Sequence, residues 1–227
     1  MKQKIFFAVA ILSLLSLVVF VSAIQKEMNF PGTTITGEFV QQNMQFGKGW
    51  NLVQGILNPE WIQTNSDNIK AIYAYNPTTD EYVRFYPEPE NNKIGDTNFA
   101  WSTWGRFGSL WVYSETDFNS NYWRFEDGML SQTPLFSGWN FMAFTPEMSG
   151  QTFNQIKGNC NIEDIYLWNY AGQEWSDEAS PKRQTSNLDK PIDDDFEGYG
   201  FIIKVTSDCT LGTSGSSTVP ELPNIPN

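Results

Sequence analysis

Asp193-Asp194-Asp195, followed at once by Glu197, gathers four carboxylates within five residues. Such an oxygen-rich run is the kind of ligand set that calcium takes. Asp117-x-Asn119-x-Asn121 also opens like a calcium loop, but it lacks the glycine and the closing glutamate. Charge runs are more often solvated faces, so calcium is the only cofactor the sequence leaves open. Phe99, Trp101, Trp104 and Phe107 crowd one short stretch. Rings in a loop can stack on a sugar or pack beneath the loop itself. Cys160 and Cys209 are the only cysteines, and histidine is absent. Without histidine the commonest general base, the commonest metal ligand and the usual partner of a serine or cysteine nucleophile are all missing. Carboxylate pairs of the glycosidase type are available, but so many acids are present that availability selects none. No phosphate-cradling glycine motif follows a strand. The expectation is a chain that is not an enzyme, with a hydrolase of unrecognised type as the remote alternative.

The chain has 227 residues and a formal net charge of −12. Lys2 and Lys4 precede an apolar run from Ile5 to Val21, broken only by Ser13 and Ser16, and Val21-Ser22-Ala23 supplies small residues for cleavage. Residues 1–23 therefore read as a secretory signal or an uncleaved N-terminal anchor. A membrane enters only through residues 5–22, if the segment is retained. The expected location is extracellular or on the cell surface. An even cysteine count in an exported chain suggests a Cys160–Cys209 disulfide. Without Lys2 and Lys4 the remainder carries −14, which repels phosphate backbones and argues against nucleic acid.

The elements that must position these residues come as one unit used twice. Phe46-Gly47-Lys48-Gly49-Trp50-Asn51-Leu52-Val53 returns as Phe136-Ser137-Gly138-Trp139-Asn140-Phe141-Met142, one residue shorter. Ile72-Tyr73-Ala74-Tyr75-Asn76 returns as Ile165-Tyr166-Leu167-Trp168-Asn169, and Tyr82 meets Trp175 at the same offset. Leu110 to Asp117 returns as Phe201 to Asp208. Order and spacing kept together mark a repeated structural unit. Each block is rich in Trp, Tyr, Phe, Ile and Val and reads as a strand. Bulky residues at consecutive positions in Ile72–Tyr75 and Ile165–Trp168 predict strands buried on both faces. Asn58 with Pro59, and Ser149 ahead of Phe153 and Ile156, predict one short helix per unit. The recurring Trp50, Trp139, Tyr75 and Trp168 read as core.

These blocks resemble the tandem Gly-Trp-Asn modules of secreted and surface-layer-associated proteins of archaea and bacteria. Gly49-Trp50-Asn51-Leu52-Val53 fits the opening pattern, and Gly198-Tyr199-Gly200-Phe201-Ile202-Ile203-Lys204-Val205 fits the closing one with an inserted glycine. Cys160 and Cys209 look like the paired cysteines of some such modules. The first unit carries Ser66 to Asn68 and Phe118 at those places, and so lacks a bridge. The resemblance implies an extracellular β-rich module without known catalysis.

The expected fold is mainly β: two tandem β-rich repeats, small sheets or half-barrels, each with one short helix, packed together. The boundaries are signal or anchor 1–23, lead-in 24–45, first repeat 46–117, connector 118–135, second repeat 136–212 and a Ser/Pro tail 213–227. The expected role is envelope structure or protein interaction, with an envelope or extracellular protein as partner. The alternative is carbohydrate binding through Phe99, Trp101, Trp104 and Phe107, with a glycan as partner.

Overall fold

The computed structural model describes residues 24–30, 33–55, 59–90, 108–125, 130, 133–176 and 188–212. The export segment, the aromatic run Phe99, Trp101, Trp104 and Phe107, and the Ser/Pro tail lie outside the described residues. Among those described, no helix is long and apolar enough to cross a membrane.

The chain is mainly β. In order come β1 (Ile24–Phe30), β2 (Thr33–Phe46), β3 (Gly49–Gln54), a helix Pro59–Thr64, β4 (Ile69–Asn76), β5 (Glu81–Tyr86), β6 (Ser109–Ser114) and β7 (Phe118–Phe125). Then follow β8 (Pro134–Leu135), β9 (Gly138–Ala143), a helix Phe153–Ile156, β10 (Ile162–Asn169), β11 (Glu174–Ser176), β12 (Gly200–Val205) and β13 (Cys209–Thr210). Two four-stranded antiparallel sheets result, ordered β3-β6-β4-β5 and β9-β12-β10-β11. Strand for strand, these are the same topology.

The likeness extends to register. Trp50 sits opposite Tyr113, and Trp139 opposite Lys204 at the matching rung. A bulge falls between Ile69 and Ala71 in β4 and between Ile162 and Asp164 in β10, the same place in both units. Pairing also corrects one sequence match. Phe46 lies opposite Phe118, and Leu135 lies opposite Cys209. The counterpart of Phe46 is therefore Leu135, not Phe136, and no residue is lost between the blocks. Phe136 takes the place of Gly47, its N–H donating to Asn140 as that of Gly47 does to Asn51.

The opening Gly-Trp-Asn has a structural cause in both copies. Gly49 and Gly138 hold φ of +102° and +100°, a conformation that L side chains rarely adopt. Asn51 then folds back: its Oδ1 accepts from the Gly47 N–H, and its Nδ2 donates to the Gly47 and Gly49 carbonyls. Asn140 repeats this with Phe136 and Gly138. Asp117 accepts from the Lys48 N–H and Asp208 from the Ser137 N–H, tying each opening turn to the end of its last sheet strand. Asp117 thus serves as a turn tether.

Alternation along each strand separates two faces. Val53, Ile72, Ala74, Leu110 and Val112 face an outer core with Trp61 of the first helix. Met142, Ile165, Phe201, Ile203 and Val205 do the same with Phe153 and Ile156 of the second. The opposite faces meet in a shared layer of Leu52, Tyr75, Trp111, Phe141 and Ile202, flanked by Trp50, Tyr73, Trp139, Tyr166 and Trp168. Both faces of the first middle strand are largely buried over Ile72–Tyr75, as the consecutive bulky residues predict, whereas in the second Ile165 is buried and Tyr166, Leu167 and Trp168 are only half-buried. The second helix is capped by Thr152, whose side chain and that of Gln155 form a reciprocal capping box. Ser149 instead ends a 3-10 turn over Pro146–Met148.

The sheets pack about a pseudo-two-fold relation. Val53 bridges Tyr199, and Met142, the counterpart of Val53, bridges Gly108, the counterpart of Tyr199. Beside this axis a Cβ on Gly200 would come within 2.4 Å of Leu52 Cγ and 2.7 Å of Ser109 Cβ. Only glycine fits there.

Candidate functional site

The shared layer is not closed along its length. At one end it opens into a cleft of about 410 Å³. Its described lining is entirely aromatic: Trp50 of β3, Tyr73 of β4, Tyr82 of β5, Trp111 of β6, Trp168 of β10 and Trp175 of β11. Trp111 is the hub. Its ring lies 5.9 Å from Trp50, 4.9 Å from Trp168 and 5.5 Å from Trp175, at interplanar angles of 70°, 90° and 73°. Edge-to-face packing of this kind is the favoured aromatic geometry. The rings touch one another, so Trp111 is buried and the more exposed rings form the surface of the trough. Tyr82 is 50 % exposed and Trp175 38 %, the largest exposures among the described aromatic rings that line the cleft.

The trough is held by bonds that cross between units. The Trp168 indole N–H donates to the Trp50 carbonyl over 2.8 Å. Gln173 accepts from the Trp50 N–H at 2.7 Å and donates back to the same residue's carbonyl at 2.9 Å. Gly49 is held to glycine by its φ of +102°, and a Cβ there would push the end of the Gln173 side chain out of this clamp. Burial pushes the Tyr82 hydroxyl above the ordinary phenol value, with the Trp111 indole acting the other way. The lining is uncharged at neutral pH and none of its six side chains is a carboxylate, amine or imidazole. What it can do is stack, exclude water and donate a few hydrogen bonds.

Cys160 and Cys209 form the expected disulfide, with Cα atoms 5.2 Å apart. It joins the turn after the second helix to β13, well away from the cleft residues in the fold. The three aspartates come together: carboxylate oxygens of Asp193, Asp194 and Asp195 lie within 4.8 Å of one another, all on exposed residues. Glu197 is not part of that group, and its carboxylate pairs with Arg124 at 3.1 Å. Asp193 has a local task. It caps the 3-10 turn Asp194–Phe196 by accepting from the Asp195 N–H, which holds its carboxyl below the usual range. Asp194 and Asp195 edge a broader polar hollow of about 650 Å³ that also takes in Gln42, Asn119 and Tyr199.

No protein-family model matches the chain, and neither does any curated protein or solved structure.

Recurrence in both units points Trp50 and Trp168 to the core. They are half-buried and line the cleft instead. The usable signal was the Tyr82 and Trp175 match. Both sit on hairpin strands β5 and β11 at the sheet edge, where a recurring large ring has least reason to be buried.

Proposed function

We propose that this protein is a non-catalytic recognition module of the cell exterior, taking its ligand in the aromatic cleft between its two repeats. The observation that carries the reading is the cleft itself, lined among the described residues by four tryptophans and two tyrosines, two of them substantially exposed. A surface that stays apolar and solvent-open normally marks a binding site. The exterior location draws on the lysine-led apolar N-terminus, on a disulfide of the kind that persists in oxidising compartments, and on the resemblance to secreted Gly-Trp-Asn modules.

The test is an array of glycans and of extended peptides, probed with the wild-type chain and with Tyr82→Ala/Trp175→Ala. These are the most exposed of the described cleft rings, and circular dichroism with a thermal melt checks that the double variant keeps its fold. A ligand held by the wild type and weakened at least tenfold by the double variant supports the reading. Binding that survives the double variant unchanged places recognition elsewhere and refutes it.

A further inference from the structure

Among the described residues, the large apolar side chains left exposed are Tyr82, Trp175 and Phe196. They are not scattered. Tyr82 and Trp175 line the aromatic cleft, and Phe196, 41 % exposed, lines the polar hollow of about 650 Å³. Trp168 lines both, so the two recesses adjoin at that residue. Exposed rings gathered into adjoining recesses mark a binding surface, whereas rings spread singly over a protein do not.

The two recesses offer different chemistry. The cleft offers ring surface. Its rings touch one another, so a ligand lies on Tyr82 and Trp175 and not between rings. The hollow offers groups that exchange hydrogen bonds. The carboxamides of Gln42 and Asn119 both donate and accept, and the carboxylates of Asp194 and Asp195 accept. The Gln42 carboxamide is half used. Its Nε2 donates to the Glu197 carbonyl, while its Oε1 is buried without a hydrogen-bond partner among the described residues. A buried acceptor left so costs stability until a donor reaches it. Phe196 adds a ring beside these polar groups, 5.4 Å from the Phe144 ring.

One ligand class presents both kinds of surface along its whole length. A sugar ring has a face of C–H groups that lies on an aromatic ring, whose own face is electron-rich, and a rim of hydroxyls that donate and accept. Each further sugar repeats the pattern. A peptide offers a stacking face only at particular side chains. The whole chain carries −12 and two carboxylates edge the hollow, which disfavours a ligand of like charge. We infer that the recognition site runs from the aromatic cleft past Trp168 into the polar hollow and takes an uncharged oligosaccharide. Its first sugars lie on Tyr82 and Trp175, and hydroxyls of the sugars that follow bond to Gln42, Asn119 and Asp194 beside Phe196. That assignment rests on the cleft being the recognition site.

The experiment is isothermal titration of the full chain with linear oligomers of glucose, of mannose and of N-acetylglucosamine, each from one to six rings, and with oligogalacturonate as the charged comparison. At least one uncharged series should bind, with affinity rising at least tenfold from two rings to five. Tyr82→Ala/Trp175→Ala should weaken every member of that series at least tenfold. Asn119→Ala/Phe196→Ala changes two exposed side chains of the hollow, and circular dichroism checks its fold. It should hold the two-ring member as the wild type does and lose the gain with length. No binding by any uncharged series, tighter binding of oligogalacturonate, affinity that does not grow with length, or a hollow variant that keeps the growth overturns the inference. If the array shows a peptide lost by the cleft variant while no sugar binds, the cleft remains the site and only the ligand class was wrong. If neither sugars nor peptides bind, both readings fall.

Discussion

Beyond the last sheet strand, the two units are closed in different ways. In the first, β7 pairs with β2 over eight rungs, from Phe118 opposite Phe46 to Phe125 opposite Phe39. The Phe46 and Phe118 rings stack at 4.8 Å, and the Tyr122 hydroxyl donates to the Gln54 carbonyl. In the second, the corresponding ladder is β8 with β13, only two rungs long. There Cys209 stands where the first unit has Phe118, and it is bonded to Cys160. A two-rung ladder buries too little to resist fraying, and a covalent tie does the work that a long ladder and a ring stack do next door. The same fold tolerates either solution because both fix one point, the exit of the last sheet strand.

Cutting the tie gives the largest expected effect. Its loop spans a separation of 49 residues, for which chain entropy predicts a stabilisation of about 4 kcal/mol. Cys160→Ala/Cys209→Ala should lose about that much in chemical denaturation. Native-state hydrogen exchange should show the loss first in β12 and β13. Phe118→Ala is the matched cut in the first unit and should cost about 2 kcal/mol, because its ring is only partly buried. A Phe118→Ala variant as stable as the wild type would mean that the stack does not do in the first unit what the bridge does in the second.

The shared Asn clamp should instead behave alike in both units. Asn51 and Asn140 are 1 % and 3 % exposed. Replacing either by alanine leaves buried backbone groups of the opening turn without partners, at about 2–3 kcal/mol. Thermal melts of Asn51→Ala and Asn140→Ala that differed by more than about 1 kcal/mol would separate turns that the geometry makes equivalent.

At the axis between the units the counterparts differ by one side chain. Ser109 and Gly200 occupy matching positions. Gly200→Ala drives a Cβ into Leu52 and should cost about 1–3 kcal/mol by overpacking. Ser109 is fully buried, and its hydroxyl has no hydrogen-bond partner among the described residues. Ser109→Ala should therefore be neutral or stabilising by up to about 1 kcal/mol. A destabilised Ser109→Ala in denaturant titration would show that the hydroxyl is satisfied in solution.

Much of this architecture was legible in the residues. The Gly-Trp-Asn blocks, the consecutive bulky runs and the two cysteines led to two like sheets, a first middle strand largely buried on both faces and a disulfide. The cleft was not legible, because burial on both faces looks the same in sequence whether the shared layer closes or opens at one end. Recurrence points Trp50 and Trp168 to the core because it reports a structural position and not its exposure. The clamp by Gln173 was hidden too. Asp80 and Gln173 hold the same turn position with φ of 55° and 53°, yet nothing in their spacing says which one reaches across to the other unit.

That last difference gives the smallest and most specific prediction. Asp80 turns inward on its own hairpin and accepts from the Tyr75 hydroxyl, whereas Gln173 and Trp168, the counterparts of Asp80 and Tyr75, bind the backbone of Trp50. Gln173→Ala should therefore loosen the cleft, costing about 1–2 kcal/mol and shifting tryptophan fluorescence. Asp80→Ala should cost about 1 kcal/mol and leave the tryptophans unmoved. The hairpins should part further in alkali. Burial first, then the Asp80 hydrogen bond and charge, raise the Tyr75 phenol above its ordinary 10.0. A raised native pKa means that the folded state favours the protonated phenol. The stabilisation is intact below pH 10 and drains away as pH climbs from there towards the native value. Trp168 has no such ionisation. Tyr75→Phe should flatten the alkaline fall in melting temperature, with Tyr82 and Tyr199, also raised by burial, supplying the slope that remains. An unchanged alkaline limb in Tyr75→Phe would remove the Tyr75–Asp80 contact from the set of pH-sensitive contacts and leave Tyr82 to carry the first hairpin's share.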